Sequence, residues 1–137
     1  MQTATVEWIG KQQFVATSPS GHSLVVDSDR DANTAPGPME LVLMALGACT
    51  ATDMVIVLEK KRQLPDAIEV ICSGERAALP PTVWVKLEIL FRVRGNVEEG
   101  AVRHAMKLSE SKYCSVAATL QKTAKISWRY EILRTDQ

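Results

Sequence analysis

Apolar and polar positions alternate through the first part of the chain, run together in the middle, and alternate again toward the end. Between residues 3 and 27, Val6 and Trp8 stand against Thr5 and Glu7, and Leu24-Val25-Val26 follows Ser23. Turn signals at Gly10-Lys11 and at Ser18-Pro19-Ser20-Gly21 divide this stretch into a meander of three strands. Residues 28–38 are polar and rich in Asp, Gly and Pro, so they read as a mobile loop. That loop is not expected to link two domains, because the strands before it are too few to stand alone. A single domain over residues 1–137 is therefore expected.

The pattern then changes. Residues 41–58 are almost wholly apolar, with one charge, Asp53. Pro38 suits the first turn of a helix, and Lys60-Lys61-Arg62 suits the negative pole at its end, which predicts a long helix from near Pro38 to about Arg62. Its apolar run meets the lower length limit for crossing a membrane. Gly47, Thr50, Thr52 and Asp53 dilute its centre, however, and a central Asp costs about 2.5–3.5 kcal/mol on insertion. The expectation is a helix buried in a water-soluble core, with no membrane span. A helix that is apolar all round must be covered all round. One sheet covers only one face, so the remaining cover is expected from the other helices or from a second copy, as an obligate homodimer.

Two further strands are predicted at 67–75 and 82–94. In the second, Val83, Val85, Leu87, Ile89 and Phe91 alternate with Trp84, Lys86, Glu88, Leu90 and Arg92, the mark of a half-buried strand. A charged amphipathic helix follows over 97–109, a shorter helix over 115–122, and a closing strand over 124–133. The order βββ-α-ββ-α-α-β argues for an α+β fold with an antiparallel sheet.

Composition narrows function by exclusion. Lys+Arg and Asp+Glu are both 16, so no net field favours nucleic acid or an anionic membrane surface. The N-terminus Met-Gln-Thr-Ala-Thr-Val-Glu-Trp lacks the basic and apolar regions of a secretory signal, and a reducing cytoplasm is expected. No phosphate loop, nucleotide fingerprint, nucleophile elbow or zinc spacing is present.

What remains is sulfur. Cys49 and Cys114 lie 65 positions apart, each in or at the start of a helical segment and without a second Cys at metal-ligand spacing. They raise the possibility of a redox pair made by the fold, while a third thiol, Cys72, leaves the pairing open. Cys72 alternates with Val70 and Ile68 and reads as core. Cys114 begins a helix, where the dipole would lower its pKa; Cys49 lies well inside one, beyond that effect, and needs a cation instead. Asp53 falls one turn beyond Cys49 on the same face, as a site acid or a hydrogen-bond anchor.

Three segments together resemble the OsmC/Ohr family, above all its short, YhfA-like branch. They are Pro38-Met39-Glu40-Leu41, an apolar helix reaching Gly47-Ala48-Cys49, and Tyr113-Cys114-Ser115-Val116-Ala117. The resemblance implies an α+β fold, an intertwined homodimer and the chemistry of stress-related thiol peroxidases that reduce organic hydroperoxides. By that resemblance Cys49 attacks the peroxide and Cys114 closes a disulfide with it. An external, lipoyl-type dithiol then restores both, with no bound cofactor and no metal. Val42, Ala45 and Leu46, with Met39 and Asp53, would line the substrate site and suit an apolar hydroperoxide. The family's arginine, on the turn after the first strand, corresponds to Lys11, and its glutamate, ten residues before the first cysteine, to Met39. Those two departures keep other classes open: a dimer that binds a small apolar ligand without peroxidase chemistry, or a thiol sensor.

Overall fold

The computed structural model describes residues 1–134. The chain forms two compact units, Met1–Val42 and the chain from Leu43 onward. The first holds the expected meander: β1 (Thr5–Gly10), β2 (Gln13–Thr17) and β3 (Ser23–Asp27), paired antiparallel in the order β1-β2-β3. The turn between β1 and β2 places Lys11 in the left-handed region, φ 50°, and its carbonyl accepts a hydrogen bond from Trp8 Nε1 at 2.8 Å.

The loop after β3 is tied down, contrary to the mobile segment expected. Buried Asp27 accepts from the backbone N–H of Asp29 at 2.9 Å, from that of Thr34 at 3.2 Å, and from the Thr34 hydroxyl. The Thr34 hydroxyl above all, with the Asp29 amide, holds the Asp27 carboxyl below its ordinary pKa. Arg30 reaches across the loop to the carbonyls of Asp27 and Ala35 and to the Glu40 carboxylate. Polar composition alone could not reveal this, because short side chains that bond their own backbone replace the missing apolar contacts. Glu40 also accepts the Gly37 N–H at 2.9 Å, the return half of a capping box, and so fixes where the long helix starts.

That helix, α1 (Pro38–Lys60), begins in the first unit and continues through the second. Its buried residues are Leu46, Thr50, Met54, Val57 and Leu58, spaced as one face of a helix packed on a protein core. The Thr50 hydroxyl returns its hydrogen bonds to the carbonyls of Leu46 and Gly47, at 2.9 and 3.1 Å, so it is buried without an orphaned group. By length and apolarity alone α1 could span a membrane. Met44 and Ile56 stay 56% and 45% exposed, so much of the helix is uncovered by this chain.

The second unit contains β4 (Ala67–Arg76), β5 (Trp84–Arg94), α2 (Glu99–Leu108), α3 (Ser115–Leu120) and β6 (Lys125–Leu133). Its sheet runs β4-β5-β6, with β4 and β5 antiparallel and β5 and β6 parallel. The architecture is α+β as expected, but with two three-stranded sheets instead of one, the second of them mixed. Two helices separate β5 from β6, which gives the chain the long crossover that a parallel pair requires.

Leu87, Ile89, Phe91 and Val93 of the central strand β5 are fully buried. At its start the alternation inverts, with Trp84 buried and Val85 exposed. A register shift there pairs Glu75 with Lys86 and Arg76 with Trp84, and the bulge turns Trp84 inward. Gly74 makes room for it: a Cβ at that position would stand 2.8 Å from both Leu87 Cδ2 and Trp84 Cε3.

Candidate functional site: a thiol and carboxylate cluster

Helix periodicity places Cys49 and Asp53, one turn apart, on the same face of α1. The third member arrives from the opposite end of the sequence. Helix α2 does not stop at Leu108 but widens into a π-helical turn, Ser109–Tyr113, closed by a hydrogen bond from Cys114 N–H to the Ser109 carbonyl at 3.0 Å. Such widened turns recur at functional sites because they re-aim side chains that a regular helix would direct elsewhere. Here the turn buries Ser109 and sends its hydroxyl to the Asp53 carboxylate, 2.8 Å away. It also delivers Cys114 as the N-cap of α3, with Sγ accepting the Ala117 N–H at 3.3 Å.

The outcome is a tight group. Cys49 Sγ, Cys114 Sγ and a carboxylate oxygen of Asp53 all lie within 4.8 Å of one another. Cys49 is half-buried, and Cys114 is only 4% exposed. Burial, first of all, pushes the Cys114 thiol up to about 12; the hydrogen bond from Ala117 opposes this, and Cys49 and the Asp53 charge add to it. The lowering expected from the start of a helix is therefore reversed, because desolvation of a thiolate outweighs one backbone donor on a helix of six residues. Among the described residues, no Lys, Arg or His comes within ion-pairing distance of Asp53. The arrangement can do two things chemically: close a disulfide between two facing sulfurs, or offer three ligand atoms to a metal ion.

Comparison with known proteins fits this geometry. The OsmC-like protein family model matches residues 30–129, which includes α1, both facing cysteines and Asp53. The chain belongs to the OsmC family. It is 39% identical over 131 residues to protein YhfA of Escherichia coli K12, covering 95% of this chain and 97% of that one. A solved structure of a hypothetical protein from Aquifex aeolicus superposes with a TM-score of 0.89 at 28% identity, over 99% of this chain and 98% of the other. An organic hydroperoxide resistance protein, OsmC, from Legionella pneumophila shares the fold, with a TM-score of 0.62 at 14% identity and 96% coverage of each chain.

Against the features expected of an OsmC-family chain, the site residues fall into two groups. Cys49, Asp53 and Cys114 are brought together, all in the second unit. Lys11, Met39 and Val42 belong to the first unit. Of the lining residues expected on α1, Ala45 is exposed while Leu46 is fully buried and offers a ligand no surface. Cys72 lies apart from the cluster, half-buried on β4, with its Sγ facing Gly47. Burial pushes its thiol up to about 11.

Two features escaped sequence reasoning. In the sequence pattern Ser109 is only the end of an amphipathic helix, and its burial depends on the fold. The second is a cleft of about 480 Å³ that starts at Asp53 and runs along α1 past Ile56, Val57 and Lys60 to His104 and Tyr113. On α1 its apolar wall is Ile56 and Val57, about three turns beyond the expected Leu46, toward the C-terminal end.

Proposed function

We propose that this OsmC-family protein is a two-cysteine thiol peroxidase for organic hydroperoxides. The observation that carries the reading is the approach of Cys49 and Cys114, sulfur to sulfur within 4.8 Å, although 65 positions separate them in sequence. Disulfide closure requires about 2.05 Å, a movement within the reach of side-chain rotation and a small backbone adjustment. Cys49, the more exposed sulfur, is the attacking thiolate. It takes the distal oxygen of the peroxide, the O–O bond breaks, and the alkoxide leaves as the alcohol after gaining a proton. Cys49 is then a sulfenic acid. The Cys114 thiol condenses with it, forming the S–S bond and releasing water. An external dithiol of the lipoyl type reduces the disulfide and is itself oxidised to a cyclic disulfide. The cycle uses no bound cofactor.

The buried position of Cys114 suits a resolving role, which needs a thiol sheltered from peroxide until the sulfenic acid forms beside it. The cleft beginning at Asp53 has space for the organic group, which favours an alkyl or aryl hydroperoxide over hydrogen peroxide. In sequence, Lys11 stands where the family carries its arginine. We further infer a homodimer in the cytoplasm. The uncovered apolar side chains of α1 outside the cleft, Met44 and Val55, are the surface that a second copy would cover. Sedimentation equilibrium is expected to give twice the mass of one chain, with Met44→Lys shifting it toward the monomer.

The enzymatic reading is tested by turnover of cumene hydroperoxide with dihydrolipoamide as electron donor. Steady consumption that disappears in Cys49→Ser supports it. A wild-type protein that consumes no peroxide above the uncatalysed rate leaves the cleft as a ligand-binding site only.

A further inference from the structure

The same three side chains allow a second chemistry that involves no peroxide. We propose that in the reduced protein Cys49, Asp53 and Cys114 form a binding site for a thiophilic divalent cation of the zinc class, held by two sulfurs and one carboxylate oxygen. Zinc binds thiolate at about 2.3 Å and carboxylate at about 2.0–2.2 Å, so the ligand atoms of a tetrahedral site sit about 3.5–3.8 Å apart. The three atoms here lie within 4.8 Å of one another, and about an ångström of contraction brings them to three of the four tetrahedral positions, leaving the fourth to water. Two of the ligands share one turn of α1, which fixes their separation by helix geometry. The third comes from a separate element, so the site exists only in the folded chain.

Two hydrogen bonds supply the outer support that such sites use to orient their ligands. Ser109, fully buried, donates to the Asp53 carboxylate at 2.8 Å. The Ala117 N–H points at Cys114 Sγ from 3.3 Å, placed to offset negative charge on that sulfur. With both sulfurs ionised beside Asp53, the group would carry three negative charges, and among the described residues no Lys, Arg or His pairs with Asp53, a state that a divalent ion relieves. The donor set of two sulfurs and one oxygen selects a zinc-class ion over calcium or magnesium, which require oxygen shells. Sequence scanning passes over this site because its ligands are spaced four and then 61 positions apart, unlike any short zinc motif.

Binding breaks two S–H bonds, forms two metal–sulfur bonds and releases two protons to solvent; no electron moves. A sulfur committed to the metal cannot join the disulfide. Metal and disulfide therefore exclude each other, and the cation would shield both thiols from oxidation. This inference goes beyond the peroxidase reading and does not depend on it.

The test is titration of the reduced full-length protein with Co²⁺ under anaerobic conditions, read by thiolate-to-cobalt charge-transfer absorption. Saturation at one equivalent per chain, with displacement of the colour by Zn²⁺, is expected. Cys49→Ser and Cys114→Ser should each lose the band, Ser109→Ala should weaken binding about 10–100-fold, and Cys72→Ser should leave it unchanged. Wild-type protein oxidised to the disulfide should bind no cobalt, a control that involves no substitution. No charge-transfer band in reduced wild type overturns the proposal, as does a band that survives in the Cys49→Ser/Cys114→Ser double variant. The readout uses no peroxide, so a protein inert to peroxide can still pass it, and an active peroxidase can still fail it.

Discussion

Two thiol environments share the helix α1, and their difference locates the chemistry. Cys72 approaches it at Gly47, among Leu43, Met44, Ala48 and Val70. Burial alone raises its thiol to about 11, as it would for any small apolar side chain carrying a latent charge. Half a turn along the helix, Cys49 faces Asp53 and Cys114, and the Ser109 hydroxyl donates to Asp53. There the rise to about 12 at Cys114 results from several opposed influences: burial, a backbone donor, a neighbouring sulfur and a carboxylate charge. Burial raises both Cys72 and Cys114, but among the described residues it is Cys114 that has a second sulfur and a carboxylate beside it. Burial alone does not separate them; the nature of the neighbours does.

The comparison breaks most sharply by substitution. Cys49→Ser or Cys114→Ser should abolish peroxide-driven disulfide formation, while Cys72→Ser should leave it intact, as read by intact-mass spectrometry after alkylation. Loss in Cys72→Ser would erase the distinction.

The next effect is on stability in alkali. A thiol whose pKa is raised by folding retains its proton in the native chain when the unfolded chain has lost it. The native state then binds more protons, and stability falls as pH rises. Cys72 should contribute fully below its ordinary pKa of 9.0 and lose that contribution as pH climbs toward about 11. The melting temperature is expected to drop across this window, and less steeply in Cys72→Ser.

A smaller effect isolates the carboxylate. In a chain that keeps only Cys114, the thiolate ultraviolet absorbance should rise at a lower pH once Asp53→Asn removes the charge that opposes ionisation. An unmoved midpoint would remove Asp53 from the electrostatics of the cluster.

The smallest effect sharpens the apolar side. A Cβ at Gly47 would meet Cys72 Sγ at 3.5 Å, an ordinary contact. Gly47→Ala should therefore stabilise the helix by up to about 1 kcal/mol and slow alkylation of Cys72, leaving the Cys49–Cys114 reaction unchanged.

Much of the fold was legible because it rests on local periodicity. The alternation in β1–β3, the Pro38 start of α1 and the i, i+4 placement of Cys49 and Asp53 follow from spacing alone. The parallel pairing of β5 and β6 did not, since it depends on how a two-helix crossover lies on the sheet. Nor did the inversion at Trp84, where one bulge moves a side chain to the other face. The site shows the same division. The cysteines could be nominated from their surroundings in sequence, but the Ser109 contact to Asp53 spans 56 positions and depends on a π-helical turn that leaves no simple pattern. The loop at 28–38 differs from its expectation for the opposite reason: it is tied by polar side chains, Asp27, Arg30 and Thr34, of kinds that usually signal mobility.

The most direct test of the central claim, that Cys49 and Cys114 form a redox pair, is to treat the fully reduced protein with one equivalent of cumene hydroperoxide and map its disulfides by peptide mass spectrometry. Rapid loss of two thiols per chain as a Cys49–Cys114 disulfide is expected, with Cys72 still free. Cys49 remaining a thiol under excess peroxide, or a disulfide that includes Cys72, would contradict it.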